Sequence, residues 1–137
     1  MNLAKHTGVA LIDGNNIYTY HDIIDQVAKY RGMLSNPWPY VMRSDYSCEA
    51  VCKLVALWQN GRTVVPIVPS NKASDERKIT AVNLETFDEP SVVLFTSGTT
   101  GEPKIVKHPF RSLVDRLPEP RRQKRLNILL FLMFDHI

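Results

Sequence analysis

A chain of 137 residues, 44% of them hydrophobic, has the length of one domain and enough apolar material for a real core. Seventeen Lys and Arg against fourteen Asp and Glu leave a net charge of +3, too small for a dedicated nucleic-acid-binding protein. The longest apolar run, Ile128 to Phe134, is far shorter than the roughly 20 residues a membrane-spanning helix needs. No charged-then-apolar leader opens the sequence, so no secretory signal is expected and a cytoplasmic location is.

Val9 to Ile12 and Ile17 to Thr19 read as two short strands joined through Asp13-Gly14-Asn15-Asn16, a strong turn signal. Thr19 then caps a helix, its hydroxyl accepting from the backbone near Asp22, whose carboxylate suits the positive helix end. Ile23, Val27, Tyr30 and Leu34 form one apolar face, and Gly32, Pro37 and Pro39 end the helix. Tyr40 to Arg43 is a short strand. Ser44 or Asp45 caps the next helix, with Val51, Leu54, Val55 and Trp58 facing inward and Gly61 as terminator. Thr63 to Val68 is β-branched and extended; Pro66 within it argues for an edge or an early end.

Ser74 or Asp75 starts a third helix through Glu76, Ile79 and Val82. Ser91 to Phe95 is a strand whose unbroken apolarity buries both faces. Lys104 to Lys107 resumes extended structure, Phe110, Leu113, Val114 and Leu117 fit a short helix, and Leu126 to Leu132 fits a final buried strand. Strands alternating with helices imply an α/β arrangement with a largely parallel sheet.

Cys48 and Cys52 are spaced C-x3-C, which is neither a C-x2-C redox pair nor half of an obvious zinc site. On a helix they share one face and pack as small apolar groups, in keeping with a reducing compartment. The basic cluster Arg121 to Arg125 reads as a solvated loop rather than a polyphosphate or nucleic-acid patch, since no aromatic residues interleave it as stacking platforms.

Between the apolar strand and Lys104 lies the stretch FTSGTTGEPK, Phe95 to Lys104. Thr96, Ser97, Thr99 and Thr100 offer hydroxyls that both donate and accept. Gly98 and Gly101 let the chain turn its amides inward, the nest geometry that suits anions, and Lys104 adds an ammonium. The alternative is a surface loop rich in turn formers. A nucleoside-triphosphatase P-loop, G-x4-G-K-[ST], is rejected: only two residues separate Gly98 from Gly101, and Glu102-Pro103 intervene before the lysine. Pro103 and the β-branched pair Ile105-Val106 favour a strand–loop–strand hairpin.

FTSGTTGEPK resembles the signature phosphate loop of the adenylate-forming enzymes: acyl-CoA synthetases, aryl-CoA ligases, luciferases and the adenylation domains of peptide synthetases. Weaker likenesses stand in the family's order around it, with IYTYHDI before it, LWQNGRTVVPIVP next and FLMFDHI after it. The resemblance runs from about Ile17 to Ile137 and corresponds to the front portion of the family's large domain. The family's Tyr-Gly-x-Thr-Glu segment, whose glutamate serves magnesium in relatives, does not occur in these residues, nor do the ribose-binding aspartate and the small C-terminal domain with its catalytic lysine. The expectation is therefore a truncated N-terminal piece of such a ligase, inactive alone.

What the resemblance implies is ATP-dependent activation of a small-molecule carboxylic acid to an acyl-adenylate, with magnesium as cofactor and a thiol, often coenzyme A, then taking the acyl group. Thr96, Ser97, Gly98, Thr99, Thr100 and Gly101 would hold the β- and γ-phosphates. Lys104 would add charge near the departing pyrophosphate, and His136 would border the acyl pocket. His108 stands where relatives often carry a histidine, although capping or packing explains it as well. A non-catalytic nucleotide-binding or interaction module is the alternative. Because the run Leu126 to Phe134 would lack its covering elements, the isolated chain is expected to self-associate.

Overall fold

The computed structural model describes residues 3–33, 39–43, 45, 47–68, 72–96 and 104–115. The chain begins with a two-stranded hairpin, β1 (Val9–Asp13) and β2 (Asn16–Thr19). Asp13 pairs with Asn16, so Gly14 and Asn15 form a two-residue turn, and Gly14 takes the positive φ of 58° that such a turn requires. Helix α1 (Tyr20–Met33) follows at once. Its start is a reciprocal cap: the Asp22 amide donates to the Thr19 hydroxyl at 3.2 Å, and the Thr19 amide donates to the Asp22 carboxylate at 2.7 Å. Ile23 and Val27 are buried and Tyr30 half-buried, the apolar face expected. The helix runs through Gly32 rather than stopping there, and Leu34 lies outside the described residues.

Strand β3 (Tyr40–Arg43) leads to helix α2 (Cys48–Gln59). Its cap is Ser47, not Ser44 or Asp45: the Ser47 hydroxyl accepts the Ala50 amide at 3.2 Å. Asp45 stands one step back, accepting the Ser47 amide at 3.0 Å and its hydroxyl proton. Gly61, with φ 64°, ends the helix as expected. Val51, Leu54, Val55 and Trp58 are only half-buried, whereas Cys52, Ala56 and Leu57 have no exposed surface. The reason is that α2 packs on two sides. Cys48, Cys52 and Ala56 meet Ile23 and Val27 of α1, while Leu57 meets the sheet at Met42 and Val64.

Strand β4 (Val64–Ile67), helix α3 (Lys72–Asn83), strand β5 (Ser91–Thr96), strand β6 (Lys104–Pro109) and helix α4 (Phe110–Asp115) complete the described fold. Helix α3 begins at Lys72, ahead of the expected Ser74 or Asp75. The second sheet is mixed, in the order β3-β4-β5-β6, with two parallel pairs and an antiparallel one. Pro66 therefore sits in an interior strand, fully buried, contrary to the edge expectation. The β4–β5 ladder is registered at Val64↔Val92, two residues before Pro66, so the missing N–H falls past that pairing.

The sheet is covered on both faces. Val92 and Leu94 of β5 pack with Leu57 and Phe110 on one side, and Val93 packs with Val82 of α3 on the other. Thr63 joins three strand starts: its carbonyl accepts the Tyr40 amide at 2.9 Å and its hydroxyl accepts the Ser91 amide at 3.2 Å. The result is a mixed α/β fold. Among the described residues, no helix is long and apolar enough to cross a membrane.

Candidate functional site: the mouth of the β5–β6 hairpin

Strands β5 and β6 form an antiparallel ladder from Ser91↔Pro109 to Thr96↔Lys104. This is the strand–loop–strand arrangement expected from Pro103 and Ile105-Val106. Apolar side chains on both faces of β5 hold it in the sheet, and the Phe110 amide closes the far end on the Pro90 carbonyl at 3.1 Å. At the mouth, Thr96 and Lys104 face each other as cross-strand partners, both exposed. Alternation along the ladder puts them on the same face as Leu94, the side covered by α2 and α4.

The position of this mouth matters. Strands β3, β4 and β5 run parallel, so Arg43, Ile67 and Thr96 end at one edge of the sheet. In open α/β sheets, ligands bind beyond the carboxyl ends of the strands. Ser97, Gly98, Thr99, Thr100 and Gly101 lie outside the described residues, as does His136. Of the residues singled out from sequence, the structure thus places Thr96 and Lys104, and brings them together.

Two further lysines stand on the opposite face of the hairpin. Lys107 is firmly engaged: its ammonium donates to the Thr86 carbonyl at 2.8 Å, pairs with Glu85 and lies 5.0 Å from the Phe87 ring centroid. Lys78, from α3, holds its ammonium 5.5 Å from the centroid of Phe95, the residue before Thr96. It sits on a polar helix far from the loop in sequence, and only the packing of α3 against β5 brings it near.

Cys48 and Cys52 are free and buried, with sulfurs 3.9 Å apart. Burial pushes both thiols up, Cys52 to about 12, which favours the neutral form of each at physiological pH. His6 stacks on Tyr20, exposed His21 lies 3.5 Å from Asp25, and His108 is half-buried opposite Val92.

A cavity of about 310 Å³ opens at the other edge of the sheet, lined by Trp58, Gly61, Glu89, Pro90, Phe110 and Arg111 among others. Trp58 stacks on Phe110 there, centroids 5.8 Å apart, so its core role leaves one flank open. Among the described residues, no three His, Cys, Asp or Glu side chains gather as a metal site. No protein-family model matches this chain, and no curated protein matches it.

Proposed function

We propose that the β5–β6 hairpin is the ATP-phosphate grip of an adenylate-forming ligase, one that activates a carboxylic acid. The observation that carries this reading is the pairing of Thr96 with Lys104 at the carboxyl edge of the sheet, bracketing the SGTTGEP segment. A polyphosphate there meets a hydroxyl on one strand end and an ammonium on the other. Each hydrogen bond to a charged oxygen contributes roughly 1.5–3 kcal/mol.

In the reaction, a carboxylate oxygen attacks the α-phosphorus of ATP. The new bond joins carboxylate oxygen to phosphorus, the bond between the α-phosphorus and its bridging oxygen breaks, and pyrophosphate leaves with the electron pair. Catalysis of such a step rests on positioning and on neutralising charge as it moves onto the leaving group. Thr96, Ser97, Gly98, Thr99, Thr100 and Gly101 are the proposed holders of the β- and γ-phosphates, Lys104 the cation beside the departing pyrophosphate, and His136 the residue bordering the acyl group. Among the described residues, no carboxylate set gathers that would hold magnesium. Coenzyme A is the proposed acceptor of the acyl group.

The test is ATP–pyrophosphate exchange by the complete gene product across a panel of carboxylic acids. Acid-dependent exchange is expected, lost in Lys104→Met. A product that binds ATP but exchanges with no acid would instead be a nucleotide-binding module. The 137-residue chain, which contains no Tyr-Gly-x-Thr-Glu segment, is expected to show no exchange with any acid.

A further inference from the structure

The cavity at the other edge of the sheet has walls from three parts of the chain. Trp58 comes from the end of α2, Glu89 and Pro90 from the segment leading into β5, and Phe110, Arg111 and Asp115 from α4. These walls are tied to one another. The Phe110 amide donates to the Pro90 carbonyl at 3.1 Å, which fixes α4 to the entry of β5. Phe110, itself buried, stacks on Trp58 with the ring planes 13° apart. The space is therefore enclosed by packed elements, and its volume of about 310 Å³ falls at the small end of ligand pockets, roughly 300–1,000 Å³.

Its chemistry is an apolar body with an acidic rim. Trp58, Pro90 and Phe110 supply the apolar surface. Two carboxylates and one guanidinium line it as well, and Arg111 pairs with Asp115 at 3.7 Å, one turn along α4. Glu89 is left as the uncompensated charge of the lining. An indole is the strongest aromatic partner for an organic cation, and a carboxylate beside it supplies the counter-charge. A neutral apolar ligand would leave Glu89 unused, and an anion would be repelled by it.

We infer that this cavity is a binding site for a small arylalkyl ammonium ion, its apolar body against Trp58 and Pro90 and its ammonium beside Glu89. The site lies at the Ser91–Pro109 end of the β5–β6 ladder, the opposite end from Thr96 and Lys104, and stands independently of the proposed phosphate grip.

The experiment is an NMR titration of the 137-residue chain with phenethylamine, 2-phenylethanol and 3-phenylpropanoate, which share a skeleton and differ in charge. The readout is the Trp58 indole N–H signal, assigned by its loss in Trp58→Phe. The amine should bind tightest, the alcohol about threefold weaker and the carboxylate weakest. Glu89→Gln should weaken the amine about threefold, the size of a solvent-accessible charge contact, and leave the alcohol unchanged. Both differences should shrink at high salt, where charge is screened. An alcohol that binds as tightly as the amine, or an amine indifferent to Glu89→Gln, would overturn the inference by making the cavity a neutral apolar slot. Tightest binding by the carboxylate would also overturn it, handing the site to Arg111. A Trp58 signal that none of the three moves would remove the site altogether. The phosphate grip is untouched by each of these results.

Discussion

The carboxylate of Asp13, at the end of β1, accepts the backbone amide of Cys48, the first residue of α2, at 2.9 Å. A residue 35 positions away thus satisfies a helix N-terminal donor that has no partner inside the helix. The bond ties the N-terminal hairpin to the helix that packs against the sheet. Asp13→Ala leaves a part-buried donor unpaired and should cost about 1–3 kcal/mol. Thermal melting should fall by several degrees, and by less for Asp13→Asn, which keeps an acceptor. A variant melting within a degree of wild type would show the bond to be idle.

Acid should loosen the start of α1. The Thr19 hydroxyl, then the Thr19 amide, hold the Asp22 carboxyl below the ordinary carboxylate range, and Ser47 does the same to Asp45. A lowered carboxyl pKa stabilises the fold above about pH 4 and gives that stability up as pH falls through the folded value. Melting temperature should therefore drop as pH falls below about 4. Asp22→Asn should flatten that slope; an unchanged slope would remove Asp22 from the account.

Alkali acts on the opposite group. Burial, and then the neighbouring Cys48, push the Cys52 thiol up to about 12. The neutral thiol stabilises the fold below the ordinary thiol pKa of about 8.5, and that contribution is lost as pH rises from there toward the folded value. Iodoacetamide at pH 8 should label Cys52 slowly in native protein and rapidly in denaturant. Equal rates would mean that Cys52 is not buried in solution. Cys52→Ser places a hydroxyl in that apolar site and should cost about 1–3 kcal/mol by denaturant unfolding.

Ile12 and Ile17 are cross-strand partners on the outer face of the N-terminal hairpin, 67% and 63% exposed. Association of the chain was expected from Leu126 to Phe134, which lies outside the described residues; the hairpin offers a second apolar surface. The double variant Ile12→Thr, Ile17→Thr should lower concentration-dependent association in sedimentation equilibrium, with stability changed by no more than about 0.5 kcal/mol. Undiminished association would assign the sticky surface elsewhere.

Local chemistry made the hairpins and one cap legible. Asp13-Gly14-Asn15-Asn16 specifies its turn because positive φ falls on a glycine, and Thr19 with Asp22 closes a cap within a single turn. The cap of α2 was harder: Ser44, Asp45 and Ser47 are all competent, and the choice depends on the Asp45 carboxylate turning toward Ser47. Pro66 was half legible: β4 is interior rather than an edge, but it does end early, at Ile67, one residue past the proline. At the candidate site, the strand–loop–strand hairpin that pairs Thr96 with Lys104 was legible in Pro103 and the β-branched pair Ile105-Val106. The nearness of Lys78 to Phe95 was not legible, because only the docking of α3 creates it.

The most direct measurement is a crystal structure of the complete gene product with bound ATP. The triphosphate should lie at the hairpin mouth, with phosphate oxygens within hydrogen-bonding distance of Thr96 and Lys104. Density for the nucleotide at another edge of the sheet, such as the cavity beside Trp58 and Phe110, would contradict the phosphate grip and the ligase reading built on it.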